Sequence, residues 1–416
     1  MHMKKLCGLL ILLFPMLLQA QPYLEKQTRH RFAQLNLGLD VQYSSPAQGS
    51  WLRNGTATEQ RIDGHFRPRI LIGGTHFWGH ADFMLAIPLG RPVFSEQDQH
   101  FITYSGVETA FKYYPWRMQS GKIRPFAGVS LLTWYYEQRQ GKDLAGNGPE
   151  LHVVNLPLSL GMNYMHGRHL IELGVLWNHQ YRQQYAISSQ QFAPIQLSQW
   201  QLGLSWRWLL ETTLSAEKGW ESGRTSAVTE KLSAAGKLDG WFVGAGFSSV
   251  FWLANSVRNE QLYPFVGKPG TSLMPDFSLG YYWHQADAQL NLSYRGYRTA
   301  TQAYGVQQTL QRRSLGLEFT KMLFDYHGFI PFIGPILSRE QLLINENNNV
   351  YQAEDFLWSA GLTFGWDIRP DRLQRFVLRT NLRWYPALKL QAADANFNAL
   401  EFNFIQLVVY PQRFAL

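Results

Sequence analysis

The sequence predicts an all-β fold: a transmembrane antiparallel β-barrel of about sixteen strands in two similar eight-strand halves. Three observations predict it. Apolar and polar side chains alternate with period two in segment after segment. The connections between those segments alternate between long and short. A stretch with the character of an export signal precedes both. Residues 35 to 43 show the alternation cleanly: Leu35, Leu37, Leu39, Val41 and Tyr43 fall on one face, and Asn36, Gly38, Asp40 and Gln42 on the other. Successive strand side chains point to opposite sides, so this ribbon has one apolar and one wet surface.

Composition agrees. The chain holds 15 Trp, 20 Tyr and 26 Phe, more than a soluble sheet protein needs but suited to aromatic girdles at two membrane interfaces. Lys4 and Lys5 form a basic start, residues 6 to 18 an apolar core, and Ala20 a cleavage position, although Leu18 at minus three is imperfect. No later stretch has the eighteen or so consecutive apolar residues of a membrane helix. The sole cysteine, Cys7, precedes the apolar core, so the mature chain is expected to hold no disulfide and no cysteine metal site. Formal charge is +8, or +6 without Lys4 and Lys5. In an aromatic-rich exported chain this basicity points to anionic lipid headgroups, and no motif or basic run supports nucleic-acid binding.

Period-two segments lie near 31–43, 66–77, 80–88, 101–114, 123–137, 152–165, 169–181 and 198–208. A second set lies near 239–249, 274–283, 287–297, 308–321, 328–340, 355–366, 373–384 and 399–410. The pattern slips phase near Gln406, which predicts a bulge or an early strand end there. Long connections (44–64, 89–100, 138–151, 182–197, 250–273, 298–307, 341–354, 385–398) interleave with short ones (78–79, 115–122, 166–168, 284–286, 322–327, 367–372). Short turns mark the periplasmic end and long loops the external end of such barrels. Strand prolines such as Pro68, Pro125 and Pro331 lack a ladder donor and mark strand ends or irregular places.

One connection breaks the alternation. Residues 209–238 should be a tight turn, yet a helix capped by Thr225 or Ser226 and running to Lys237 fits there, with Val228, Leu232 and Ala235 on one face. The chain therefore divides into a signal (1–20), a first half (21–208), a periplasmic linker (209–238) and a second half (239–416). The two halves repeat an order of motifs, KIRPFAGVSL in one against GFIPFIGPIL in the other, which suggests duplication. Two geometries fit: one sixteen-strand sheet around a pore, or two eight-strand barrels filled by side chains. The long linker favours two units, and the rarity of paired barrels favours one; a single barrel is the expectation adopted.

The strings GGTHFWGHADF (73–83), KYYPWR (112–117), TTLSAEKGWESGRT (212–225), FDYHGFIPFIGP (324–335), GWDIRP (365–370) and EFNFIQLVVYP (401–411) resemble a family of Bacteroidetes outer-membrane β-barrel proteins. The likeness runs from about residue 30 to the C-terminus. It implies fold and location and carries no catalytic residue across. The ending departs from the terminal phenylalanine of barrel-assembly signals, Leu416 standing last after Phe414.

Candidate chemistry is sparse. His76, His80 and Asp82, with His65 nearby, are zinc-ligand types, but the spacing crosses a hairpin turn, and histidines beside Phe77 and Trp78 also suit an interfacial girdle. The histidine-rich and acidic turns (His76, His80, His327, Asp325, Asp367, Asp371) map to the periplasmic end, away from the outer rim where membrane hydrolases work, so no enzyme and no cofactor is expected. Gly73-Gly74 opens no helix and cradles no phosphate. Charged groups on the wet faces form the largest set: Arg67, Arg69, Asp82, Glu108, Lys112, Glu172, Arg207, Arg295, Arg312, Glu318, Arg379, Arg383 and Glu401. They either pair across a lumen or line water.

These readings predict a barrel in the outer membrane of a Gram-negative bacterium, in contact with outer-membrane lipid and the barrel assembly machinery. A non-enzymatic pore for small solutes is the first expectation of function. The alternative is a structural or docking barrel that binds a periplasmic protein through the linker, where Trp220, Glu221 and Arg224 offer an aromatic anchor among charges. A hydrolase comes third.

Overall fold

The computed structural model describes residues 34–96, 99–140, 147–210, 230–270, 273–326, 328–347, 350–369, 374–390 and 395–415. The expected signal therefore lies outside the described residues, as do Trp220, Glu221 and Arg224. Of the linker helix, residues 230–234 are seen.

In the first half the strands are Gln34–Ser44 (β1), Ala47–Arg53 (β2), Thr56–Ile62 (β3), His65–His76 (β4), Ala81–Pro88 (β5), Val93–Glu96 (β6) and Gln99–Tyr113 (β7). Lys122–Gln140 (β8), Leu151–Asn155 (β9), Leu158–His166 (β10), His169–Trp177 (β11), Arg182–Ala186 (β12), Phe192–Gln196 (β13) and Trp200–Leu209 (β14) complete it. The main sheet runs β10-β11-β14-β1-β4-β5-β7-β8-β9. Its two ends are one run of chain, since β9 passes into β10 across Leu156-Pro157. Pro157 has no N–H to give the ladder, which accounts for the break, but its carbonyl still accepts from Ser130 N of β8 at 3.0 Å. The sheet thus returns on itself.

The second half holds Gly240–Trp252 (β15), Leu273–Trp283 (β16), Ala288–Ala303 (β17), Val306–Met322 (β18), Phe329–Glu346 (β19), Tyr351–Ile368 (β20), Phe376–Leu390 (β21) and Ala395–Val409 (β22). These eight form a closed antiparallel barrel. A short helix, Val257–Leu262 (α1), sits in the β15–β16 connection, capped by the Ser256 side chain, which accepts from Asn259 N.

Two eight-stranded units, rather than the single sixteen-stranded barrel adopted from sequence, are what the chain builds. A single sheet would pair β14 with β15. Instead β14 lies against β1, from Asn36↔Leu209 to Ser44↔Gln201, and β15 lies against β22, from Val243↔Val409 to Trp252↔Ala399. Each half uses its own edges to close, which leaves none for its neighbour. The expected slip near Gln406 is real. Phe247 faces Ile405 while Ser248 faces Asn403, so Phe404 is the extra residue of a bulge.

The outward rows form a continuous apolar belt. Leu202, Leu204, Trp206 and Trp208 stand 40–56% exposed on β14, with Leu315, Leu317 and Phe319 at 46–48% on β18. Side chains of this kind would not face water around a whole barrel, so the belt is a lipid-facing surface. The units touch at few places. Phe83 meets Trp366 with ring centroids 5.4 Å apart, and Phe77 meets Phe329 at 5.2 Å. At the long-loop end, Tyr304 donates its N–H to Asn147 O (2.7 Å) and its hydroxyl to Ala186 O (2.7 Å).

Residues 44–64 and 182–197, expected as loops, fold instead into a second sheet, β12-β13-β2-β3, above the first barrel. Trp51, Ile62, Tyr185 and Ile195 from this region bury against Trp134 and Tyr136 at the top of β8. The Tyr185 hydroxyl donates to Pro149 O (2.8 Å) and accepts from Gln138 N (3.0 Å).

Glycine 334 sets one close approach. A Cβ there would lie 1.8 Å from Phe319 O, and the β18–β19 pairing, in unchanged register, is interrupted between Glu318↔Ile336 and Lys321↔Ile333. Gly334→Val is expected to force these strands apart and cost about 1–3 kcal/mol, as overpacking does. The midpoint of the heat-dependent gel shift reads this; an unchanged midpoint would mean that the strands can yield.

Candidate functional site

The interior of each barrel is the densest concentration of chemistry in the chain. All thirteen charged groups assigned to wet faces from the sequence point inward and are no more than 6% exposed. Four of their partners stand outside those thirteen. Asp40, Asp276, Glu340 and Asp367 are equally buried and complete the set. Asp40 and Asp276 are legible, since each alternates with apolar neighbours. Asp367, expected in a periplasmic turn, instead occupies the last inward position of β20.

In the first barrel Arg69 bridges two strands, with Nε donating to Asp40 Oδ1 at 2.8 Å and Nη1 to Glu108 Oε2 at 2.5 Å. Ser130 donates to the other Glu108 oxygen at 2.6 Å. Nearer the short turns, Arg207 donates to Asp82 at 2.7 Å and to Glu172 at 3.1 Å, and Glu172 also pairs with Lys112 and accepts from the Tyr114 hydroxyl at 3.1 Å. Arg67 reaches Ser105 O at 2.7 Å. Four bases (Arg67, Arg69, Lys112, Arg207) thus face four acids (Asp40, Asp82, Glu108, Glu172).

The second barrel repeats the scheme with different positions. Arg383 donates to Asp276 (2.6 Å) and Glu318 (2.9 Å). Arg295 Nε lies 2.8 Å from Glu401 Oε2, and its Nη2 donates to the Tyr385 hydroxyl at 2.7 Å. Arg312 grips Glu340 with two bonds, 2.8 and 2.9 Å, and also pairs with Glu401. Arg379 makes a two-pronged pair with Asp367, 2.8 and 2.9 Å, between the rings of Phe242 and Phe332. Fork-to-carboxylate pairs of this kind fix geometry as well as charge.

Apolar layers seal both ends of each network. In the second barrel Trp252, Tyr297, Leu342 and Phe397 pack above it, and Phe242, Tyr282, Phe332 and Tyr410 below. In the first, Trp134 and Tyr136 lie above with the extra sheet, and Tyr114, Met118, Phe126 and Leu209 below. The end of the chain adds a stopper. The turn Pro411–Ala415 places Arg413 against the Tyr410 ring at 3.7 Å, with its guanidinium donating to Leu238 O and, at 3.0 Å, to Gln374 O.

The zinc-type residues do not converge. Asp82 belongs to Arg207, His80 Nδ1 lies 2.9 Å from Tyr114 O, and the His76 ring packs on Phe83 with centroids 5.1 Å apart. Among the described residues no group of three or more His, Cys, Asp or Glu is placed to hold a metal ion. His65 packs against Phe94 with centroids 5.1 Å apart. At the loop end of β9, His152 Nε2 lies 3.7 Å from Glu150 Oε2.

No protein-family model matches the chain, and no curated protein does. Among solved structures it is similar to Neisserial surface protein A, at 14% identity over 41% of this chain and 97% of that one, with a TM-score of 0.31. It is also similar to Ail, the attachment invasion locus protein of Yersinia pestis (10%, 41% and 96%, TM-score 0.27). The CymD monoaromatic hydrocarbon channel is similar over 91% of this chain and 88% of that one, at 6% identity and a TM-score of 0.21. Likeness at this level carries no argument about activity.

Proposed function

We propose that the protein is a non-enzymatic double barrel of the outer membrane that acts as a structural or docking element and does not pass solutes. The observation that carries this reading is the closed interior: paired arginines and carboxylates fill each lumen between two apolar layers. Opening a water path would strip partners from charges that are nearly fully buried, at several kcal/mol for each. Eight strands leave room for little else. This sets the reading against the small-solute pore expected from sixteen strands. The apolar belt, the loop-length asymmetry and the motif likeness to Bacteroidetes barrels support the outer-membrane location. Lipid and the barrel assembly machinery are then its general partners, and a periplasmic protein its specific one.

Planar-bilayer recording on the purified full chain tests it. The expected result is a flat trace at voltages where pores conduct. Reproducible ohmic steps would overturn the reading. Fractionation with the outer membrane and heat-modifiable migration are the matching expectations for location.

A further inference from the structure

We propose that the outer wall of the second barrel carries a binding site for the phosphate of an anionic lipid headgroup, formed by Arg298, Arg313 and Arg339. The three lie on adjacent strands, one each on β17, β18 and β19. Arg298 faces Gln311, and Arg313, two residues further along β18, faces Gln341. Arg339, two residues back along β19, faces Leu315 on one side and Trp358 on the other. Each arginine is thus the diagonal neighbour of the next, with Cβ atoms about 7–8 Å apart, within reach of a shared anion for so long a side chain.

All three belong to the outward rows. Arg298 and Arg313 are exposed and Arg339 half-buried, while the intervening Arg312 points inward to Glu340. The contrast in partners is the telling point. The inward arginines of these strands and of β21 (Arg295, Arg312, Arg379 and Arg383) are all paired with carboxylates, whereas none of these three is within ion-pair distance of one among the described residues. Arg313 has only a 3.5 Å contact with the Gln341 amide oxygen, and Arg339 lies over the rings of Phe356 (5.8 Å) and Trp358 (5.6 Å). Gln341 gives its amide to Glu354 at 2.5 Å, so the nearest outward acid is engaged by a neutral group.

Height along the strands selects the ligand. Toward the short turns the same rows continue as Leu292 and Tyr294, Leu315 and Leu317, and Ile333 and Leu337, each 43–49% exposed. Toward the loops the β18 and β19 rows turn polar at once, with Gln311 and Gln341. The arginines therefore occupy the first polar row above the apolar belt, flanked by interfacial aromatics, on the long-loop side. A guanidinium there sits at headgroup depth, where its fork matches a phosphate, and acyl chains on that phosphate would lie on the apolar rows below. A free anion would gain only the first of these contacts. The inference rests on the outer-membrane reading for which leaflet supplies the lipid.

Detergent-solubilised full-length protein is titrated with diphosphoryl lipid A, or with the same lipid stripped of phosphate, and retained lipid is counted by native mass spectrometry. The phosphorylated form is expected to be retained at a concentration about tenfold lower. The R298Q/R313Q/R339Q variant is expected to lose that preference, and the triple lysine variant to keep part of it. Millimolar inorganic phosphate alone should not displace the lipid; full displacement would make this a free-anion site and overturn the proposal. Equal retention of the two lipids by the unaltered protein, or an unchanged preference in the glutamine variant, would do the same. If that variant does not fold, a lipid A with a photoreactive headgroup decides on the unaltered chain: labelling of β17 to β19 upholds the site and labelling elsewhere sinks it. Conductance and fractionation test the parent reading separately.

Discussion

Replacing Arg383 with alanine is expected to destabilise the second barrel by about 3–5 kcal/mol, because it strands the buried Asp276 and leaves Glu318 with only its longer 3.4 Å contact to Arg295. Asp276 and Glu318 share this guanidinium, at 2.6 and 2.9 Å, and all three groups are 2% exposed or less. Asp276 would keep Ser248 (2.7 Å) and Asn403 (2.8 Å) as donors, but no countercharge of its own. The measurement is urea unfolding followed by the heat-dependent gel shift. Arg298→Ala, on the outer wall, should change stability by no more than about 0.5 kcal/mol and serves as the control. Should Arg383→Ala also cost less than about 1 kcal/mol, the network would be wetter than its geometry implies, and a sealed lumen would no longer follow from it.

Much of this network is legible in the amino-acid sequence. Period-two alternation assigns a side of the sheet to every strand residue, so Arg207 between Trp206 and Trp208 has to point inward. The bulge beside Gln406 is legible for the same reason, as a phase error in a regular pattern. Closure is not. Which edge strand meets which depends on register and shear across the whole sheet, and neither leaves a local mark on β1, β14, β15 or β22. The extra sheet over the first barrel is hidden for a different reason. AQGSWLR and TATEQRI have no lipid-facing side, and the buried face that Trp134 and Tyr136 cover is carried only by the scattered Ala47, Trp51 and Ile62. Partner acids are hard to read where a strand end looks like a turn, as at Asp367.

The second half, expressed behind an export signal as residues 239–416, is expected to fold and insert without the first. Its closing seam, β15 on β22, is internal to it, and so is every carboxylate that Arg295, Arg312, Arg379 and Arg383 engage. What it would lose is small by comparison. The Arg413 bond to Leu238 O, two hydrogen bonds from Tyr304 and the aromatic contacts of Tyr326, Phe329 and Trp366 are each worth about 0.5–1.5 kcal/mol. The fragment should therefore show its own heat-modifiable band, with a midpoint only modestly below that of the intact chain. A single sixteen-stranded sheet predicts the opposite, since cutting it in two leaves a pair of unpaired edges in lipid, where each orphaned backbone group costs several kcal/mol. Aggregation of the fragment, with proper folding only when both halves are supplied, would mean that the two closures depend on each other. Independent folding would instead confine any joint role of the halves to the faces where they meet.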